Sequence, residues 1–345
     1  MIRAATTYAA RSLGRNQPRC ADPRPAQASR APHDWGRVLG YLCPAELLSC
    51  CSPRSHVADA RRCVASLLVS WRSVQLREHE FFVRGVREPV RRKLFGDRWV
   101  DVWIPSVAPS GLIVAHDGQN VFDDRAAMHH QTWDAARAAV RAARRVGVTP
   151  PAVIGVWSGS TAQRPHQRGY ELAPQKLMTP QMQIDARLAD WFDPKQMCGD
   201  EYQAQLADEI VPRVMTEIGA DVPVAMMGAS MGALATLYAL GERPEVYGCG
   251  LALSVHWPFA GDALVDALVD HLPAPGKVRV WMQNGTNGLD ASYAPFQHRA
   301  EARLTSRGYV HGRDYMSRVL RRSGHNERSW ARRLPDAIEW WLRGL

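Results

Sequence analysis

The sequence predicts an α/β fold, a mostly parallel central sheet with helices on both faces, joined to an N-terminal extension of different character. Three observations carry this prediction. From about residue 80 to the C-terminus, short β-branched or aromatic runs alternate with helical stretches, as they do when successive βαβ units build one sheet. Of the 345 residues 46% are hydrophobic and 22% charged, enough apolar material for one sizeable core or two small ones. No apolar run reaches the ~18 residues that a membrane-spanning helix needs, so the helical stretches are expected to pack on the sheet, and no membrane span is expected.

The extension comes first. Residues 1–78 hold twelve arginines against five acids, which is +7 of the chain's formal +9, and five of its seven cysteines: Cys20, Cys43, Cys50, Cys51 and Cys63. They show no strong period, and their Arg-, Pro- and Ala-rich start has no acid before Asp22. That is the composition of a transit peptide. The preferred expectation is a disordered tail or a start assigned too early, with Val74 a candidate for a later one, and organelle targeting the minor alternative. The domain from residue 79 onward keeps only +2 of the charge and no basic stripe, so nucleic-acid binding is not expected. No CxxC pair occurs, which points to reduced thiols in a cytoplasmic protein.

Within the domain, strands are predicted at RWVDVWIP, GLIVAHDG, AVIGVWSG, VPVAMMGAS, GCGLALSVHW, KVRVWMQNG and DYMSRVLRRSG. A helix is predicted over DEYQAQLADEIVPRVMTEIG, where Leu206, Ile210, Val211, Val214, Met215 and Ile218 fall on one face at helical period. The last helix repeats the pattern with Trp330, Leu334, Ile338 and Trp341. Residues 160–199 fit neither period. Their prolines, three methionines (Met178, Met182, Met197) and Trp191 suggest a lid-like insertion packed over a pocket.

The stretch PVAMMGASMGALATLYAL, Pro223 to Leu240, places Ser230 between Gly228 and Gly232 after a strand and before a small-residue helix. This G-x-S-x-G stands in the strand-turn-helix setting that the nucleophile elbow of an α/β-hydrolase fold requires. A serine hydroxyl needs a neutral imidazole to take its proton and an acid to orient that imidazole. His325 lies just beyond the last predicted strand and Asp290 beyond the strand before it, which gives the chain order serine, acid, histidine. Asn284 or Asn287 are uncharged alternatives for orienting the imidazole. Asp314, at the start of the last strand, is expected to be exposed and away from the site. The oxyanion donors are expected to be the amide of Met231 and one from Gly118 or Gln119 in the turn after an earlier strand. His129, His130, Asp123 and Asp124 lack any metal-ligand spacing, and neither metal nor cofactor is expected.

From about Arg91 to the C-terminus the chain resembles the "putative esterase" branch of the α/β-hydrolases, which includes enterochelin esterase-like, esterase D-like and feruloyl esterase-like proteins. The resemblance rests on HDGQNVFDD, TWD, RGYELAP, ADEIVP, GASMGALATLYA, LSVHW, GTNGLDASY and GHNERSW, in that order. It implies Ser230 as nucleophile, His325 as base and the Asp290 region as the source of the acid. Relatives often carry an acid where Gln283 stands here, which leaves Asp290 as the remaining candidate. The resemblance also implies that Asp117, Asn120, Arg168, Tyr170, His256 and Trp257 line the pocket beside Gly118 and Gln119. Arg168 has two readings, a guanidinium that holds an anionic or catechol-like group, or one that pairs with neighbouring Glu171. The expected activity is hydrolysis of a small-molecule carboxylic ester, of siderophore or aryl type, through an acyl-enzyme. Acyl transfer by the same triad and a non-catalytic binding protein are the alternatives, and homo-oligomerisation is left open.

Overall fold

Nine strands form one sheet in the order β1-β2-β3-β5-β4-β6-β7-β8-β9. In this computed structural model, which describes residues 77–188 and 191–345, the strands are β1 His79–Phe81, β2 Val90–Phe95, β3 Arg98–Trp103, β4 Leu112–Ala115, β5 Ala152–Val156, β6 Val224–Ala229, β7 Cys249–Leu253, β8 Arg279–Asn287 and β9 Tyr315–Gly324. The expectations for the first 76 residues fall outside the described residues. From β5 to β9 the six neighbouring strands are parallel, and β1, β2 and β3 close one edge in antiparallel order.

Each of the seven predicted strand segments contains one strand, β3 to β9. β1 and β2 went unpredicted for a physical reason. β2, VRRKLF, buries Arg92 between Val90 and Phe95, so the polar residue sits on the core face and hides the alternation. Asp101 of β3 makes this tolerable, since its two oxygens accept from Arg92 Nε and Nη2 at 2.7 and 2.8 Å.

The central strands are buried on both faces, as parallel strands covered by helices must be. Alternate residues feed two cores: Leu112 and Val114 of β4 join one cluster, Ile113 and Ala115 the other. On the second face lie α1 (Ala135–Val146) and the C-terminal helix α8 (Glu327–Leu342), which packs Trp330, Leu334, Ile338 and Trp341 into that core. The first face carries α2 (Gln167–Leu172), α3 (Gly199–Ala204), α4 (Val211–Ile218), α5 (Met231–Glu242) and α6 (Gly261–His271), while α7 (Ala294–Ser306) sends Ala300 and Leu304 into the same core. Among the described residues no helix is long and apolar enough to cross a membrane.

The helix predicted over Asp200–Gly219 is continuous but contains a π turn, Gln205–Ile210, between α3 and α4. Pro212 explains it. A proline inside a helix has no N–H to donate and presses its ring on the carbonyl four residues back, and a wider turn relieves both problems. The extra residue rotates the following face, so Leu206, Ile210, Val211 and Val214 are buried whereas Met215 and Ile218 are only partly so. Within the aperiodic 160–199 segment, Met178, Met182, Trp191 and Met197 all pack against the first core.

Candidate active site

In a parallel sheet the carboxyl ends of the strands share one edge, and loops leaving it converge. Ser230 follows β6, Asp290 follows β8 and His325 follows β9, all on that edge. Ser230 has φ 58° and ψ −122°, a conformation an L-residue adopts only under constraint. The constraint is visible in the flanking glycines. A Cβ on Gly228 would lie 2.2 Å from the Gly232 carbonyl oxygen, and one on Gly232 would lie 3.3 Å from His116 Cβ. Strand and helix therefore cross with no room for side chains, and the serine is turned out at the apex. Its N–H donates to the Leu253 carbonyl at 2.9 Å, and its own carbonyl accepts from Ala233 and His256 amides at 3.0 and 3.3 Å. Ser230 Oγ has no hydrogen bond among the described residues. The amides of Met231 and Gly232, at the start of α5, are likewise without acceptors there, as the first turn of a helix leaves them, and the helix dipole favours negative charge beside them.

His325 is held on several sides. Its Nδ1 lies 2.7 Å from Asp290 Oδ1, and its ring meets Trp330, Tyr293 and His256 at centroid distances of 5.1, 5.7 and 6.4 Å. Asp290 is 1% exposed, and its other oxygen accepts from Ser254 Oγ at 2.7 Å and the Gly285 amide at 2.6 Å. Trp330 Nε1 in turn donates to Ser254 Oγ at 2.9 Å. Neither asparagine considered as an orienting group does this: Asn284 donates to the Gly285 carbonyl and Asn287 pairs with Thr286. Gln283, where relatives often carry an acid, takes the Trp281 indole N–H at 3.1 Å.

The turn Gly118–Asn120 follows β4, the neighbour of β6. Gly118 is required because a Cβ there would come within 2.3 Å of the Gly155 carbonyl oxygen. The other side chains of the turn are occupied. Gln119 spans Asp117 and the Ser158 amide, each at 3.3 Å, and Asn120 Oδ1 accepts from the Met128 amide at 2.9 Å. Asn120 is therefore a brace for the turn.

Arg168 does not pair with Glu171. Its Nε and Nη2 form a fork on Asp117 at 2.6 and 2.7 Å, whereas Glu171 takes Arg98 and the Gly159 amide, each at 2.9 Å. The Arg168–Glu171 pairing read from their proximity in sequence is thus corrected: one helical turn carries both, but their side chains take different partners. Tyr170 donates to the Trp191 carbonyl at 2.8 Å and packs beside Phe192, and Trp257 is fully buried in the first core. Both belong to the packed core. His256 differs, since it bonds Tyr293 through Nδ1 and its backbone N–H reaches Ser230. Asp314 is buried, not exposed, because it accepts from the Val310 amide at 2.8 Å and from Arg313, although it does lie at the amino end of β9, away from the site.

Burial sets the charge states around this edge. Desolvation first, with a repulsive contribution from His325, pushes the His256 imidazole down to about 3, and desolvation alone outweighs Asp117 in holding His116 at about 4. Both rings are neutral near pH 7. Glu327, first residue of α8, moves the other way: burial raises it to about 7, and the charge of Asp117 adds to the rise. Sequence reasoning passed over Glu327, Ser254 and Tyr293. The only available signal was position, Glu327 being two residues beyond His325.

The model of the "putative esterase" family matches residues 97–341. Similar solved structures include an enterobactin esterase from Shigella flexneri (16% identity, TM-score 0.52, covering 80% of this chain and 63% of that one). A siderophore hydrolase, EstA, from Aspergillus nidulans (16%, 0.51, 77% and 94%) and the BES protein from Bacillus cereus (13%, 0.52, 76% and 93%) are also similar. The chain spans only about three fifths of the length of the Shigella enzyme. Among curated protein sequences none matches.

Proposed function

Because the chain belongs to the "putative esterase" family, we propose that it is a serine esterase in which Ser230 attacks a carboxylic ester and His325 takes its proton. Asp290 holds His325 Nδ1–H, which leaves Nε2 free to act as the base. The tetrahedral oxyanion rests on the Met231 amide and on one from Gly118 or Gln119, each such donor contributing about 3 kcal/mol of transition-state stabilisation. Water then hydrolyses the acyl-enzyme. The observation that carries this reading is the 2.7 Å Asp290–His325 hydrogen bond at the same sheet edge as a serine held in an elbow conformation. We take the substrate to be a siderophore-type or aryl ester; of the proteins of similar fold, the Aspergillus one is named a siderophore hydrolase and the Shigella one an enterobactin esterase.

A fluorophosphonate probe tests the nucleophile. The wild type should be labelled covalently and Ser230→Ala should not. Labelling that persists in the variant would refute the assignment of Ser230, and a folded wild type that resists the probe would favour a binding role. A series of nitrophenyl esters of increasing acyl length, followed by a catechol ester, then ranks the substrate classes.

A further inference from the structure

A cavity of about 340 Å³ lies between α8 and the strands β8 and β9, and none of the residues assigned to the ester chemistry lines it. Its volume falls in the range of small-molecule sites, about 300 to 1,000 Å³. The apolar part of its lining is Trp281, Trp340, Met316 and Leu320, with the two indoles 6.0 Å apart. The outer face of Trp340 is already covered by the Arg279 guanidinium at 3.9 Å, which fixes that ring as a wall.

The polar part is unbalanced. Its acids are neutralised by arginines: Asp336 and Glu339 both accept from Arg145, at 2.9 and 3.1 Å, and Glu339 also from Arg343 at 2.8 Å. Its remaining groups are donors without acceptors among the described residues. Gln283 is 2% exposed, and the Trp281 N–H fixes its carboxamide oxygen, so its NH₂ group is the end left over. Arg333 Nε is buried and unpaired, with its Nη1 3.8 Å from Asp336. The Arg318 guanidinium has no partner among the described residues. Of these only Arg333 Nε is a buried donor without an acceptor, which costs about 1 to 3 kcal/mol, and an anion seated on it would also lie within the lining that holds the exposed Arg318 guanidinium and the Gln283 amide. Gln283 is also rigid, because its carbonyl accepts from the Ser254 amide at 2.6 Å.

We propose that this cavity is a second, non-catalytic binding site for a small amphipathic carboxylate. The apolar or aromatic body rests against the wall formed by Trp281, Trp340, Met316 and Leu320, and the carboxylate is shared by Arg318, Arg333 and the Gln283 amide. The proposal does not depend on the esterase reading.

The test follows indole N–H resonances of the ¹⁵N-labelled full chain during titration with 3-phenylpropionate, with 3-phenylpropanol as the uncharged control. Trp281→Phe and Trp340→Phe assign the two reporters, and Trp330, beside His325, reports the other site. The carboxylate should shift the Trp281 and Trp340 signals with unchanged affinity in Ser230→Ala. Arg318→Gln and Arg333→Gln, singly, should each weaken it about tenfold, the loss expected of one charge-assisted hydrogen bond. Shifts confined to Trp330, equal binding of the alcohol, or full affinity in both arginine variants would each overturn the proposal.

Discussion

Asp290 and Glu327 are buried to almost the same depth, at 1% and 4% exposure, and both belong to the surroundings of His325, yet they are provided for very differently. Asp290 accepts from His325, Ser254 and Gly285. Among the described residues Glu327 accepts only from its own backbone amide, and the nearby Asp117 opposes its charge. Depth alone therefore does not decide what a buried carboxyl group does. Ser254 and Gly285 make Asp290 a fixed acceptor for the imidazole, while the lack of such donors leaves Glu327 titrating close to neutral pH.

The largest expected effect separates the two directly. Asp290→Asn should lower kcat on a nitrophenyl ester by about 10⁴-fold, because the amide stabilises the wrong imidazole tautomer. Glu327→Gln should stay within about tenfold of wild type. If Asp290→Asn also stays within that limit, the distinction fails and another group orients His325. The next effect concerns stability. Between about 4.5 and about 7 the unfolded chain has lost the Glu327 proton that the folded protein keeps, so the folded state binds more protons and stability falls as pH rises. The displacement corresponds to about 3 kcal/mol at about 1.4 kcal/mol per pH unit. Urea denaturation at pH 4.5 and pH 8 should therefore show Glu327→Gln gaining up to ~3 kcal/mol on wild type at the higher pH and little at the lower. An equal difference at both would mean that ionisation is not the cause.

Much of this contrast lay beyond reach of the sequence. Ser230, Asp290 and His325 were legible because each follows a strand whose apolar run is unmistakable, and parallel order puts strand ends together. β1 and β2 were not, since a buried Arg92 reads as solvent-facing until Asp101 is placed opposite it. The partner of Arg168 was also illegible: sequence offers the acid three positions away, but Asp117 arrives from a loop 51 residues earlier. Glu327 looks like an ordinary acid at a helix start, and only the packing around α8 removes its water.

Ser254 tests how much of the provision for Asp290 comes from one donor. Ser254→Ala removes a hydroxyl that donates to Asp290 and accepts from Trp330, leaving a buried indole N–H unpaired. It should destabilise the fold by about 2 kcal/mol in urea melts and lower kcat far less than Asp290→Asn, since Gly285 and His325 still hold the carboxylate. A kcat loss as large as that of Asp290→Asn would show that the hydroxyl, not the backbone, positions the acid.

The smallest effect lies on the Glu327 side and works through its neighbours. Arg168 partly offsets the repulsion that Asp117 exerts on Glu327, and its guanidinium forks on Asp117 at 2.6 and 2.7 Å. Arg168→Gln removes that positive charge and leaves Asp117 uncompensated, so the Glu327 proton should be held to still higher pH. The pH at which the advantage of Glu327→Gln levels off should then rise by a few tenths of a unit in an Arg168→Gln background, measured by the same urea melts across pH 4.5 to 9. An unmoved or lowered midpoint would mean that the fork on Asp117 does not reach Glu327, and that burial without side-chain donors is enough to hold its proton.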